Sequence, residues 1–369
     1  MTSFRNHQDI ILSTVVTCEI GHGILGDAQS ALDSSRFEAR GLMKSQAKEW
    51  ISDHKDISNG LPSQSIPSLG SETLSLWRIH QDVKFFAELY VQEHLHMLGG
   101  VQSTKAPGEL NLDLLSAAEK TRIYRAIYRY AMYGDLFHFD CDRHIGSKRG
   151  KIEFPRSYDQ SLLFLCLFPA WQVEELSCIN DFIQDKILEK WEEIDNEFFN
   201  KIKDDAASWD VHRNPYDSRW VLDFFGTSAK SAYHKDWQRY SATLSLSQLR
   251  EVFSATGDNL LQVTRENTIS ATNDFLTEAL NEDPYHESDE YEAYLEALDS
   301  GVKVQFQGDD IEKPNEAWLW AHQYKPCDYV ESALLFPIGE GLRRCGYVFW
   351  DSRRLHDSSI LDQELVLYA

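Results

Sequence analysis

No apolar run in this chain approaches the roughly 18 residues that a membrane-crossing helix needs, so no transmembrane helix is expected. The first residues, MTSFRNHQDIILSTVV, lack the basic start, long apolar middle and small-residue cleavage site of a secretory leader. Cysteine is sparse. Cys18, Cys141, Cys166, Cys178, Cys327 and Cys345 form no CxxC pair and show no zinc-finger or zinc-ribbon spacing. Several fall within apolar runs, where a buried free thiol is the ordinary state. These absences predict a reduced, intracellular, cytoplasmic protein. Positive charge is also short: 36 Lys and Arg stand against 59 Asp and Glu, a net charge of -23. That balance argues against nucleic-acid or membrane-surface binding driven by net charge, though not against a local basic patch. Serine nucleophile elbow, P-loop and Rossmann glycine pattern are all missing. Common hydrolases, nucleoside triphosphatases and dehydrogenases therefore leave the front of the list, and no cofactor is expected.

What is present is enough for a core. Hydrophobic residues make up 42% of the chain and aromatics 12%, with ten tryptophans and sixteen tyrosines. That composition belongs to a globular protein. At 369 residues, one large domain or two are open. The economical reading is one mainly α domain over 1–369 with few short strands. A subdivision near 204–238, where aromatics abound without a period, is the alternative.

The most legible helix runs from Ser116 to Phe139. Ser116 and Glu119 have capping-box spacing. Ile123, Ala126, Ile127, Tyr130, Gly134 and Phe137 form one apolar stripe, with Arg122, Arg125 and Arg129 along its edge. In so acidic a chain those arginines must face carboxylates inside, such as Glu174 or Glu175, or an anion outside. Internal pairing is favoured, because arginine suits partly buried bidentate pairs. Further helices are expected over Asp9–Ile20, Leu25–Ser34 and Phe37–Asp53. A long one follows from Ser71 to about Leu98, with Leu76, Ile79, Val83, Phe86 and Tyr90 inward. Others are expected from Pro169 to about Ile202, over Leu246–Ala255 behind a Ser245/Gln248 capping box, and within Asp258–Leu280. Glu316–His322 and Val330–Phe336 are apolar pieces, and Tyr347–Trp350 is a candidate strand.

Three polar groups are candidate sites. His138, Asp140, Asp142 and His144 alternate in HFDCDRH; an extended segment would put all four on one side for a divalent metal. A polar loop leaving a helix is the favoured reading, so no metal is expected. Arg143, Lys148, Arg149, Lys151 and Arg156 are the densest positive segment and can hold a phosphate backbone, against the plainer reading of a solvated loop. Asp309, Asp310 and Glu312 in GDDIE stand just ahead of the aromatic run PNEAWLWAH, which holds Trp318 and Trp320. Carboxylates beside aromatics can bind a guanidinium by paired hydrogen bonds and stacking. They can also raise one another's pKa and provide a base.

EKTRIYRAIYRYAMYGDLF, FPAWQVEELSCINDFI, PNEAWLWAH and GLRRCGYVFWDSRRL together resemble a large group of fungal proteins that often carry an F-box ahead of a helical body. The resemblance spans about Leu74 to Leu361. The chain departs from the F-box members in having no Leu-Pro-led F-box helix set at its start. With the body alone it is similar to the fungal arginine-containing cyclodipeptide synthases, which use aminoacyl-tRNAs to make cyclic dipeptides in secondary metabolism. That resemblance implies an aminoacyltransferase acting on arginyl-tRNA and a second aminoacyl-tRNA, with no DNA and no membrane among its partners. It implies catalytic roles for Asp309, Asp310 and Glu312, the nearest match to the group's acidic motif. Trp318 and Trp320 would then bind substrate, and Arg143, Lys148, Arg149 and Lys151 would bind tRNA. The other reading is a non-catalytic interaction module of the same family that lacks its F-box.

Overall fold

The computed structural model describes residues 13–36, 44–54, 70–98, 110–137, 156–205, 241–257, 259–260, 263, 275–281, 306–323, 340–358 and 361. These residues are mainly α-helical. The helices are α1 (13–20), α2 (Leu25–Ser35), α3 (Lys44–Asp53), α4 (Gly70–Met97), α5 (Ala117–Phe137), α6 (Ser157–Phe164) and α7 (Ala170–Asp205). After them come α8 (Leu246–Ser254), α9 (Phe275–Asn281), α10 (Glu316–Gln323), α11 (Glu340–Arg344) and α12 (Ser352–Asp357). Among the described residues there is no β-strand. The expected strand at Tyr347–Trp350 is instead a buried turn. Gly346, at φ 64°, reverses the chain there, and Phe349 N–H donates to Gly346 O. Val330–Phe336 lies outside the described residues, as does most of Asp258–Leu280.

The chain divides into two compact units. The first comprises 1–138, 151–182 and 276–369; the second comprises 139–150 and 183–275. Helix α7 contributes its opening turns to the first unit and its remainder to the second.

The first unit is built around α5. Its start has the expected capping box: Glu119 N–H donates to Ser116 Oγ, and Ser116 N–H to Glu119 Oε2. The apolar stripe is buried as expected. The helix is covered on further faces too, because Tyr124, Tyr128, Met132, Tyr133 and Leu136 are also buried. A single stripe therefore understates its burial; α5 is a central helix, with α2 and α4 packed on it.

Helix α4 presents Leu76, Val83, Phe86 and Tyr90 inward as expected. Ile79 is only half-buried, and the next residue, His80, takes the inward position. Its Nδ1 lies 2.8 Å from Tyr128 Oη, and Tyr124 meets the ring edge-on. Burial lowers the His80 pKa to about 4, with the Lys84 cation helping and Glu19 opposing. The folded protein thus resists a proton that the unfolded chain accepts at ordinary pH. Stability is expected to fall as pH drops from the unfolded pKa near 6.5 towards 4. From this residue alone the loss between pH 7 and pH 5 is about 2 kcal/mol. Urea midpoints at the two pH values check it: His80→Gln should flatten the difference, and an unchanged slope would refute the assignment.

In the second unit, Ser245 and Gln248 form the expected capping box on α8. Ile187, Trp191 and Ile194 on α7, and Leu246, Leu249 and Val252 on α8, are buried. Lys190 Nζ donates to Ala255 O, tying the end of α8 to α7.

Candidate functional site: an acidic turn on an arginine-braced scaffold

The three arginines of α5 all lie inside the protein, at 1–2% exposure. Each has found its own partners. Arg122 Nη1 donates to Asp351 Oδ1 at 2.8 Å and to Phe349 O at 3.1 Å. Arg125 forks onto Glu175, with Nε to Oε2 at 3.0 Å and Nη2 to Oε1 at 2.6 Å, and Nη1 donates to Ile311 O at 2.7 Å. Arg129 donates to Asp27 and Gln172 and lies 3.9 Å over the Phe168 ring. Internal pairing is therefore what the row does. Of the two suggested carboxylates, Glu175 is right for Arg125. Glu174 instead takes a bidentate pair from Arg343 and a bond from Tyr347 Oη. Asp27 and Asp351 have no spacing signal in the sequence, because they come from distant segments.

Residues 340–358 wrap onto this scaffold. Arg354 forks onto Glu119, with Nε to Oε1 at 2.7 Å and Nη2 to Oε2 at 2.9 Å, and Nη2 also donates to Leu114 O. Asp351 N–H donates to Glu119 Oε1. Burial works to raise the Glu119 pKa, but the Arg354 bonds and charge outweigh it and hold the carboxyl below its ordinary value. Gly346 packs directly against Tyr90, whose ring is wholly buried between His94, Phe182 and Phe349.

The acidic turn lies on this body. Asp309, Asp310 and Glu312 are all exposed. Asp309 Oδ1 accepts from Ser352 N–H at 3.0 Å. Asp310 folds back over its own turn, accepting from Glu312 N–H at 3.0 Å, with Lys313 Nζ at 3.8 Å. Partial burial raises the Asp309 pKa, and the Asp351 and Glu316 carboxylates add to it, against the Ser352 bond and the Arg122 charge. Beyond the turn, Asn315 ties the start of α10 down. Its Nδ2 donates to Tyr347 O and Trp350 O, and its Oδ1 accepts from Trp318 N–H. Ser352 Oγ donates to Glu316 Oε2, and His356 Nε2 lies 3.1 Å from the same oxygen.

The two tryptophans separate. Trp318 is buried with its ring edge-on to Trp171, so it belongs to the core. Trp320 is half-buried. Arg143, Lys148, Arg149 and Lys151 lie outside the described residues, as do His138, Asp140, Asp142 and His144. Among the described residues no group of three or more His, Cys, Asp or Glu is arranged to hold a metal. No helix among them is long and apolar enough to cross a membrane.

Sequence reasoning missed Glu316, Ser352 and His356 at this place. The signal that could have pointed to Ser352 and His356 is the density of polar and charged residues in DSRRLHD. No family model, curated protein or solved structure matches the chain.

Proposed function

We propose that the chain is a tRNA-dependent cyclodipeptide synthase that joins arginine, delivered as arginyl-tRNA, to a second aminoacyl group. The observation that carries this reading is the contrast between the two sets of charges. The buried arginines are matched to carboxylates of the protein, whereas Asp309, Asp310 and Glu312 are exposed on one turn, where Asp309 and Asp310 accept backbone N–H groups and Lys313, at 3.8 Å from Asp310, is the cation beside them. A cation from outside is their complement. A guanidinium can take paired hydrogen bonds from a carboxylate and lie against a ring such as Trp320. An aminoacyl ester is already activated, so the absence of a P-loop in the sequence is no obstacle. The work left is to bring one amine to the other ester and to keep that amine neutral. Asp309, with its raised pKa, is the carboxylate suited to accept the ammonium proton. The basic residues Arg143, Lys148, Arg149 and Lys151 are assigned to the tRNA backbone.

One observation favours a second reading, the non-catalytic interaction module. Trp318 is committed to the core, so of the two tryptophans assigned to substrate only Trp320 keeps part of its surface exposed. Mass spectrometry of medium from bacteria expressing the chain separates the two. An arginine-containing cyclic dipeptide is expected, and it should be lost in Asp310→Ala. A product that survives that substitution keeps the enzyme and discards the turn as its site. No product from folded protein, including after supply of fungal tRNA, selects the interaction module.

A further inference from the structure

We infer that Arg125 is a positioning residue for the acidic turn, and that its buried pair with Glu175 fixes that turn's geometry more than it stabilises the fold. The inference rests on the reading of the turn as a cation-binding site.

The argument starts from what a buried ion pair does. Taking two charges out of water costs about as much as their attraction returns, so well-packed apolar replacements are often neutral or stabilising. Arg125 and Glu175 are each 2% exposed. Stability alone gives little reason for such a pair. Its geometry suggests another role. Nε and Nη2 are both held by Glu175, which locks the plane of the guanidinium. The remaining Nη1 is thereby aimed at one atom, the Ile311 carbonyl, at 2.7 Å. Ile311 stands between Asp310 and Glu312. The side chain of the same residue is seated as well: its Cδ1 lies close over Gly23, where a Cβ would come within 2.9 Å. The carbonyl is thus tethered by Arg125 and the side chain rests on Gly23. Preorganised carboxylates bind a cation without an ordering cost, which is where such a tether acts.

A lysine keeps the charge opposite Glu175, but it has no second and third N–H in a fixed fork. Arg125→Lys should therefore hold the pair and release Ile311. Arg125→Met with Glu175→Leu removes both charges together and avoids an unpaired buried carboxylate. The probe is L-arginine amide, with binding read by calorimetry and folding by thermal midpoint. Wild type should bind. Both variants should bind about tenfold more weakly, at a midpoint within a few degrees of wild type for the double replacement. Binding that stays at the wild-type level in both variants overturns the positioning role. Binding that falls only in step with a collapsing midpoint overturns it too, and returns the pair to plain structure. If wild type itself fails to bind arginine amide, the cation-site reading fails and takes this inference with it. In that case the midpoint of the double variant still reports whether the pair stabilises the fold.

Discussion

Gly346→Ala is expected to destabilise the protein by about 3–5 kcal/mol, from overpacking added to an unfavourable backbone conformation. Two effects combine. The residue has φ 64°, a region that side chains with a Cβ rarely adopt. The added Cβ would also stand 2.2 Å from Tyr90 Oη, with two ring carbons at 3.1 and 3.3 Å. Tyr90 cannot retreat, since its ring is stacked on His94 and edged by Phe182 and Phe349. The companion substitution isolates the steric part. Tyr90→Phe removes the hydroxyl that makes the worst contact. That hydroxyl is buried with no hydrogen-bond partner among the described residues, so its loss alone should be neutral or mildly stabilising. In the double variant the cost of Gly346→Ala should drop by about 1–2 kcal/mol, a coupling that a double-mutant cycle in urea measures directly. Strict additivity would mean that the two residues do not oppose each other as described.

Glu119→Ala should cost a similar amount, about 3–5 kcal/mol, for a different reason. The carboxylate is 1% exposed and serves four donors: two N–H groups of Arg354 and the backbone N–H groups of Ser116 and Asp351. Removing it leaves a largely buried guanidinium and two amides without their acceptor. Glu119→Gln keeps the shape and one oxygen, and should recover part of the loss. The pH dependence has a definite sign. The folded carboxyl is held below its ordinary value, so its stabilisation is present above the unfolded pKa. It disappears as pH falls through the folded pKa. Glu119→Gln should therefore narrow its deficit against wild type in acid. A deficit that stays constant from neutral to acid pH would refute the linkage.

Local signals carried much of this architecture. Ser116/Glu119 and Ser245/Gln248 are each three residues apart, and both capping boxes are present. The residues named by the 3.6-residue period of α5 are all buried, though Tyr128, Met132 and Tyr133, outside that stripe, are buried as deeply. The misses share one cause, a partner far away in sequence. His80 lies inward because Tyr128 meets it from another helix, and no property of its neighbours announces that. Tyr347–Trp350 is as apolar as a strand, yet it is a turn. Its carbonyls are taken by Asn315, and Gly346 must fit against Tyr90. The arginine row was visible and its internal use foreseeable. Its particular carboxylates were not, because Asp27 lies 102 positions from Arg129 and Asp351 lies 229 from Arg122 in a chain rich in acids. For the site, the spacing of GDDIE marked the turn. Nothing in that spacing told of the brace from Arg125 or the contact with Ser352.

The docking of residues 340–358 on α5 also sets the timing of folding on the ribosome. Arg122 meets the Phe349 carbonyl across 227 positions, and Arg354 reaches the Leu114 carbonyl across 240. At ordinary rates of synthesis, the charged flank of α5 is made roughly 10–45 s before the segment that covers it. Over that interval Arg122 lacks Asp351 and the Phe349 carbonyl, and Glu119 has the Ser116 amide of its own cap but not Arg354. The helix can form early from its own cap and period and can pack on α2 and α4, but the burial of this flank is among the last events in making the chain. Slow, non-local closure of this kind makes nascent chains that lack residues 340–358 the form most exposed to aggregation.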